Sequence, residues 1–130
     1  MIESFVVYDA GALVAAQRRE FRFLRMHRSF LEAKRSLVVP VPAYVQVHRD
    51  DPRQHGVHVL MKAVTLHRAD KAVADLAGRA LRETGTEDAV DAIVAATALV
   101  LEAPLVTSDP ADMRRLLDAL DSRKHPVFSV

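Results

Sequence analysis

One stretch limits the possible folds more than any other: across residues 89–101 only Asp91 and Thr97 are polar, so a helix there is apolar nearly all round. Such a helix offers no face to water and has to be buried between other layers. Asp88 stands at its start as an N-cap, and Asp91 falls in its first turn, which sets a carboxylate at the mouth of the core.

Around that helix, short β-branched runs alternate with helical ones. Strands are predicted at residues 5–8, 37–39, 63–66, 104–107 and 127–130. Helices are predicted at 10–16, 20–34, 42–49, 58–61, 70–83, 88–101 and 110–120, with Gly85 just past one helix end and Pro42 and Pro110 in first turns. Connections of helix length between strands imply an α/β fold with a mostly parallel sheet and right-handed crossovers. A chain of 130 residues with 50% hydrophobic content is one domain, spanning 1–130.

Several function classes drop out. With no cysteine there is neither disulfide nor thiolate chemistry. No apolar run reaches the roughly 18 residues of a membrane span, and the start lacks a secretory pattern, so a cytoplasmic protein without a membrane partner is expected. Only four glycines are present and none forms a phosphate loop, while Ser4, Ser29, Ser36 and Ser108 have no nucleophile-elbow surroundings. His55 and His58 have one-turn spacing but no second pair, so a transition-metal site is not expected.

What remains is acidic. Asp9, Asp91 and Asp109 each fall where a strand hands over to a helix, or in the first turn of a helix. In a parallel sheet all strands point the same way, so these acids can gather on one edge, and gathered carboxylates repel unless a hard cation joins them. Two of the three also admit a plain capping reading, with Asp88 as N-cap three residues before Asp91 and Asp109 before Pro110 with Asp112 three residues on, but capping leaves Asp9 unexplained.

The segments Val6-Val7-Tyr8-Asp9-Ala10, Asp91-Ala92-Ile93-Val94-Ala95-Ala96-Thr97-Ala98 and Leu105-Val106-Thr107-Ser108-Asp109 with Asp112-Met113 resemble the acidic motifs of PIN domains. The resemblance covers essentially the whole chain and points to the VapC group of ribonuclease toxins from type II toxin-antitoxin pairs. It implies a three-layer α/β/α fold with a five-stranded sheet, and Mg²⁺ or Mn²⁺ held by Asp9, Asp91, Asp109 and Asp112. It further implies an RNA substrate cut by metal-activated water, a cognate antitoxin and a homodimer. One position departs from the family pattern. Where the helix after the second strand usually supplies a glutamate, this chain has Gln46, an uncharged ligand and a poor proton acceptor. Asp88, one turn before Asp91, is the nearest candidate to make up the lost charge. The alternative is a PIN-like protein that binds RNA or an antitoxin without efficient cleavage.

Substrate handling has its own candidates. Arg18, Arg22 and Arg25 are expected on one helix face, a positive stripe suited to phosphates, to an acidic partner, or simply to water. Phe21, Phe23, Leu24, Phe30 and Leu31 on the same helix are divided between core and partner contacts.

Overall fold

The sequence's first strand becomes the middle of the sheet. The computed structural model describes residues 4–120 and 124–130, so the first three residues of the N-terminal segment lie outside it. In chain order the elements are β1 (Phe5–Tyr8), α1 (Ala10–Gln17), α2 (Phe21–Glu32), β2 (Ser36–Pro40), α3 (Val41–Val47) and α4 (His55–Met61). They continue with β3 (Thr65–His67), α5 (Lys71–Thr84), α6 (Ala89–Val100), β4 (Leu105–Thr107), α7 (Pro110–Leu120) and β5 (Val127–Ser129). The strands form a single sheet in the order β3-β2-β1-β4-β5, and every pairing is parallel. This is the expected α/β/α arrangement, with the sheet wholly rather than mostly parallel.

Val6, Val7 and Tyr8 are fully buried because β1 is covered on both edges and both faces, the setting in which a strand is apolar throughout. Burying each valine contributes on the order of 1.5–3 kcal/mol. Helix α6 has the central place its composition demands, packing on α3, α5, α7 and the β1–β2 strands. Its one buried hydroxyl, Thr97, donates to the Ile93 carbonyl at 2.7 Å, so the apolar interior holds no unmet donor there. Asp70 caps α5 through the Val73 amide, and Gly85 ends it in the left-handed region at φ 74°.

Element boundaries shift where distant side chains intervene. Helix α4 starts at His55, three residues earlier than expected, because Gln17 from α1 accepts the Val57 amide at 3.1 Å and satisfies a first-turn donor. Helix α3 stops at Val47 because Gln54 donates to the Val47 carbonyl at 2.7 Å and accepts the Arg49 amide at 2.9 Å. Strand β3 begins at Thr65 rather than Ala63, whose amide is still donating to Leu60 at the end of α4.

The basic stripe needs correcting. Arg18 is the C-cap residue of α1, and Arg19, at φ 53°, turns the chain before Glu20 opens α2. Arg18 therefore does not share a helix face with Arg22 and Arg25. Lys34 likewise lies beyond the end of α2, at φ 56°.

Candidate active site

The strand order places the switch in winding direction between β1 and β4, and ligands of open α/β sheets gather in the crevice outside the carboxyl ends at such a point. Asp9 directly follows β1, and Thr107-Ser108-Asp109 leads out of β4 into α7. Register brings them side by side, since Tyr8 pairs with Val106 and the Asp9 amide donates to the Val106 carbonyl at 3.1 Å.

Asp9 is only 5% exposed. It caps α1 by accepting the Ala12 amide at 2.9 Å. Burial pushes its carboxyl above the ordinary range, while the Thr107 hydroxyl and the amides of Ala12, Gly11 and Ser108 act in the opposite sense. Gly11 is required for this close approach: a Cβ there would fall 2.0 Å from Ser108 Oγ and 2.5 Å from Ser108 Cβ.

The remaining acids are more open. Asp91 is half-buried at the start of α6, and its carboxyl is pushed up to about 7 by burial first, then by the charges of Asp88, Asp9 and Asp109. Asp88 caps α6 through the Asp91 amide at 3.0 Å, and Asp109 accepts the Asp112 amide at 3.3 Å in the same way on α7. The capping roles foreseen for both are therefore real, and they coexist with the gathering of charge. Asp112 is raised by its hydrogen bond to Asp109 and by that neighbour's charge. Asp88, Asp91 and Asp112, with Thr86, Arg115 and Leu116, line a cavity of about 60 Å³, room for roughly two waters at about 30 Å³ each. Arg115 stands 3.7 Å from Asp112 and is largely exposed, so it screens the acids weakly.

The all-oxygen donor set fits a hard divalent cation in its chemistry. Among the described residues, however, no three acidic or imidazole groups stand close enough to hold one ion as they are. Asp88, Asp109 and Asp112 are exposed or nearly so and turn on single bonds, whereas Asp9 is fixed. Gln46 is exposed on α3 and makes no hydrogen bond to the acids among the described residues, so its amide is the candidate ligand least tied to the cluster.

Sequence reasoning missed Thr107, whose hydroxyl accepts the Asp109 amide at 2.9 Å, and Arg115. The signal for Thr107 was a polar residue closing an otherwise apolar strand. Away from the acids, Arg22 and Arg25 with Phe21, Met26 and Ser29 line an open recess of about 350 Å³ on α2. Phe21 is 73% exposed there, with the Arg25 guanidinium 5.6 Å from its ring centre. Among the described residues no helix is long and apolar enough to cross a membrane.

No family model and no curated protein sequence matches the chain. Solved structures do. A chain of VapBC2 from Rickettsia felis, crystallised bound to a DNA fragment from their promoter, superposes with a TM-score of 0.77 at 11% identity, covering 97% of this chain and 98% of that one. A chain of a toxin-antitoxin complex from Klebsiella pneumoniae gives a TM-score of 0.61 at 18% identity, covering 82% and 88%. At these identities the likeness establishes the fold, which agrees with the PIN-like architecture expected from the acidic segments.

Proposed function

We propose that the chain is the ribonuclease toxin of a toxin-antitoxin pair, VapC-like, acting in the cytoplasm on RNA with Mg²⁺ or Mn²⁺ and silenced by a cognate antitoxin. The observation that carries this reading is the meeting of carboxylates from separate chain segments at the β1–β4 switch point, where burial first, then the charges of Asp88, Asp9 and Asp109, lift Asp91 to about 7. A site with no use for cation binding gains nothing from groups that destabilise one another. Both solved structures named above come from toxin-antitoxin complexes, which supports the biological setting.

Asp9, Asp91, Asp109 and Asp112 are the residues that would hold the cation, with Asp88 and Gln46 as further ligands at the rim. When bound, a hard divalent ion lowers the pKa of water for attack on phosphorus and neutralises charge growing on the scissile phosphate. The protein's own part begins with Asp9, which the Ala12 amide holds at the first turn of α1 before any ligand arrives. Burial and the neighbouring acids raise the Asp91 carboxyl to about 7, so its charge is the one in the hollow most open to change near neutral pH, and a bound cation would favour its ionised form. The N-termini of α1, α6 and α7 direct positive potential toward the crevice, favouring the phosphate while opposing the cation. Arg115 adds a mobile positive charge at the rim.

Arg22 and Arg25 supply the phosphate contacts or an acidic docking surface, and the exposed Phe21, Leu24 and Leu31 beside them suit an antitoxin segment or the second copy of a homodimer. The test is RNA cleavage with added Mn²⁺ by wild type, Asp9→Asn and Asp91→Asn. Wild-type cleavage at least a hundredfold above both variants is expected; equal background rates in all three would leave the non-cleaving binding protein as the better reading. Gln46→Glu is expected to tighten Mn²⁺ binding, and no gain on calorimetric titration would remove Gln46 from the ligand set.

A further inference from the structure

Phe21 is the most exposed large hydrophobic side chain among the described residues, and it opens α2 beside basic neighbours. Arg22, Arg25, Met26 and Ser29 share one face of the helix by their spacing and, with the ring, line the open recess of about 350 Å³. The Arg25 guanidinium stands 5.6 Å from the ring centre, one turn further along. The ring adds nothing to the core, which α2 meets through Phe23 as its only buried residue.

The charges of this face are unmatched. On α5 and α7 every arginine has an acid at 3.3–3.7 Å: Arg79 and Arg82 at Glu83, Arg114 at Asp118, Arg115 at Asp112. On α2 itself Arg28 has Glu32 at 3.2 Å. Arg22 and Arg25 have no acid partner among the described residues, and Glu20, beside them at the N-cap, pairs with neither. Two free guanidiniums next to an uncovered ring call for a ligand that is both anionic and flat. The face is also well placed. Phe23, in the same turn, packs edge-on against Tyr8, the last residue of β1, and Asp9 follows directly. The first half of α2 therefore stands at the strand end that carries the acidic hollow, and a strand lying over the hollow can continue onto it.

We propose that the Phe21 face of α2 is a binding site for one unpaired nucleotide of RNA, its base stacked on the Phe21 ring and its flanking phosphates taken by Arg22 and Arg25. The proposal rests on the ribonuclease reading above. Unpaired RNA fits because its bases expose their flat faces, which stacking closes in a duplex. An acidic peptide would match the two arginines but offers the ring no planar partner. Because every base has such a face, the site adds affinity with little choice of sequence.

Affinity is read apart from cleavage by fluorescence anisotropy of a short labelled single-stranded RNA with a chelator present. Phe21→Ala is expected to weaken binding about 5–150-fold, the loss of one stacked base. Against an abasic oligoribonucleotide of equal length, which keeps the phosphates, the same variant should match wild type. Phe21→Trp gives a chain without tryptophan its only indole. That variant should hold affinity to within about threefold and be quenched by base-bearing RNA but not by abasic RNA. Arg79→Ala, which removes a paired arginine from α5, should leave binding unchanged. Wild-type affinity in Phe21→Ala, equal wild-type affinity for abasic and base-bearing RNA, an unquenched Phe21→Trp, or no RNA binding at all overturns the proposal. Polyglutamate that binds more tightly than RNA, and loses affinity in Phe21→Ala, overturns it in favour of an acidic peptide. Mn²⁺-dependent cleavage judges the ribonuclease reading separately. No cleavage with Phe21-dependent binding intact refutes that reading and keeps the site, whereas cleavage with binding indifferent to Phe21 refutes the site and keeps the reading.

Discussion

The β1–β4 junction and helix α2 handle awkward side chains in opposite ways. At the junction a carboxylate, Asp9, is taken almost wholly out of water and held by the Ala12 amide at 2.9 Å. On α2 a large aromatic, Phe21, is left in water, and Phe23 is the helix's only buried residue. A buried charge is tolerated only where donors are preset, which suits chemistry; an exposed aromatic beside arginines suits a surface completed by a partner. The two regions divide the proposed work between a fixed centre and an adaptable face.

The largest effect should come from the single anchor of α2. Phe23 packs edge-on against Tyr8 at 5.3 Å between ring centres, and Tyr8 bonds His27 at 2.8 Å beneath the same helix. Phe23→Ala is expected to cost about 3–5 kcal/mol in denaturant unfolding. Phe21→Ala should stay within about 0.5 kcal/mol, and a comparable loss for both would erase the distinction between the two faces.

Next comes Gly11→Ala, which forces the Ser108 turn away from α1 and should cost about 1–3 kcal/mol with loss of Mn²⁺ binding. A variant of wild-type stability and affinity would show that the turn is slack.

Asp91 gives a smaller effect of opposite sign. Its folded carboxyl is raised from 3.8 to about 7, so between those values the folded chain binds more protons than the unfolded one, and stability falls as pH rises through the window. Because the group is half open to solvent, Asp91→Asn should gain only on the order of 1 kcal/mol at pH 8 and nothing near pH 4. Thermal melts across that range check it; a wild-type slope kept by the variant would locate the repulsion elsewhere.

The smallest stability change is expected from Arg22→Ala combined with Arg25→Ala, again within about 0.5 kcal/mol. That pair should flatten the salt dependence of RNA binding by about one unit of slope per lost phosphate contact.

The same contrast explains what could be read in the chain. Residues 89–101 announced a buried helix because burial acts on every position of the element, and the strand runs were visible for the same reason. Asp9, Asp91 and Asp109 could be singled out because each sits at the start of a helix. The ends of α3 and α4 were not legible, since they depend on Gln54 and Gln17 reaching across loops. Arg18 was misassigned because a left-handed turn at Arg19 carries no glycine to mark it. Thr107 was overlooked because its hydroxyl gains a role only from the turn beyond β4 that brings the Asp109 amide onto it.

The most direct test is paramagnetic broadening of backbone amide signals during a Mn²⁺ titration. Joint loss of the Asp9, Asp91 and Asp109 signals at one low concentration, with Arg22 and Arg25 untouched, is the expected outcome. Broadening spread over surface acids such as Asp70 and Asp75, or none at those three positions, would contradict a shared cation site.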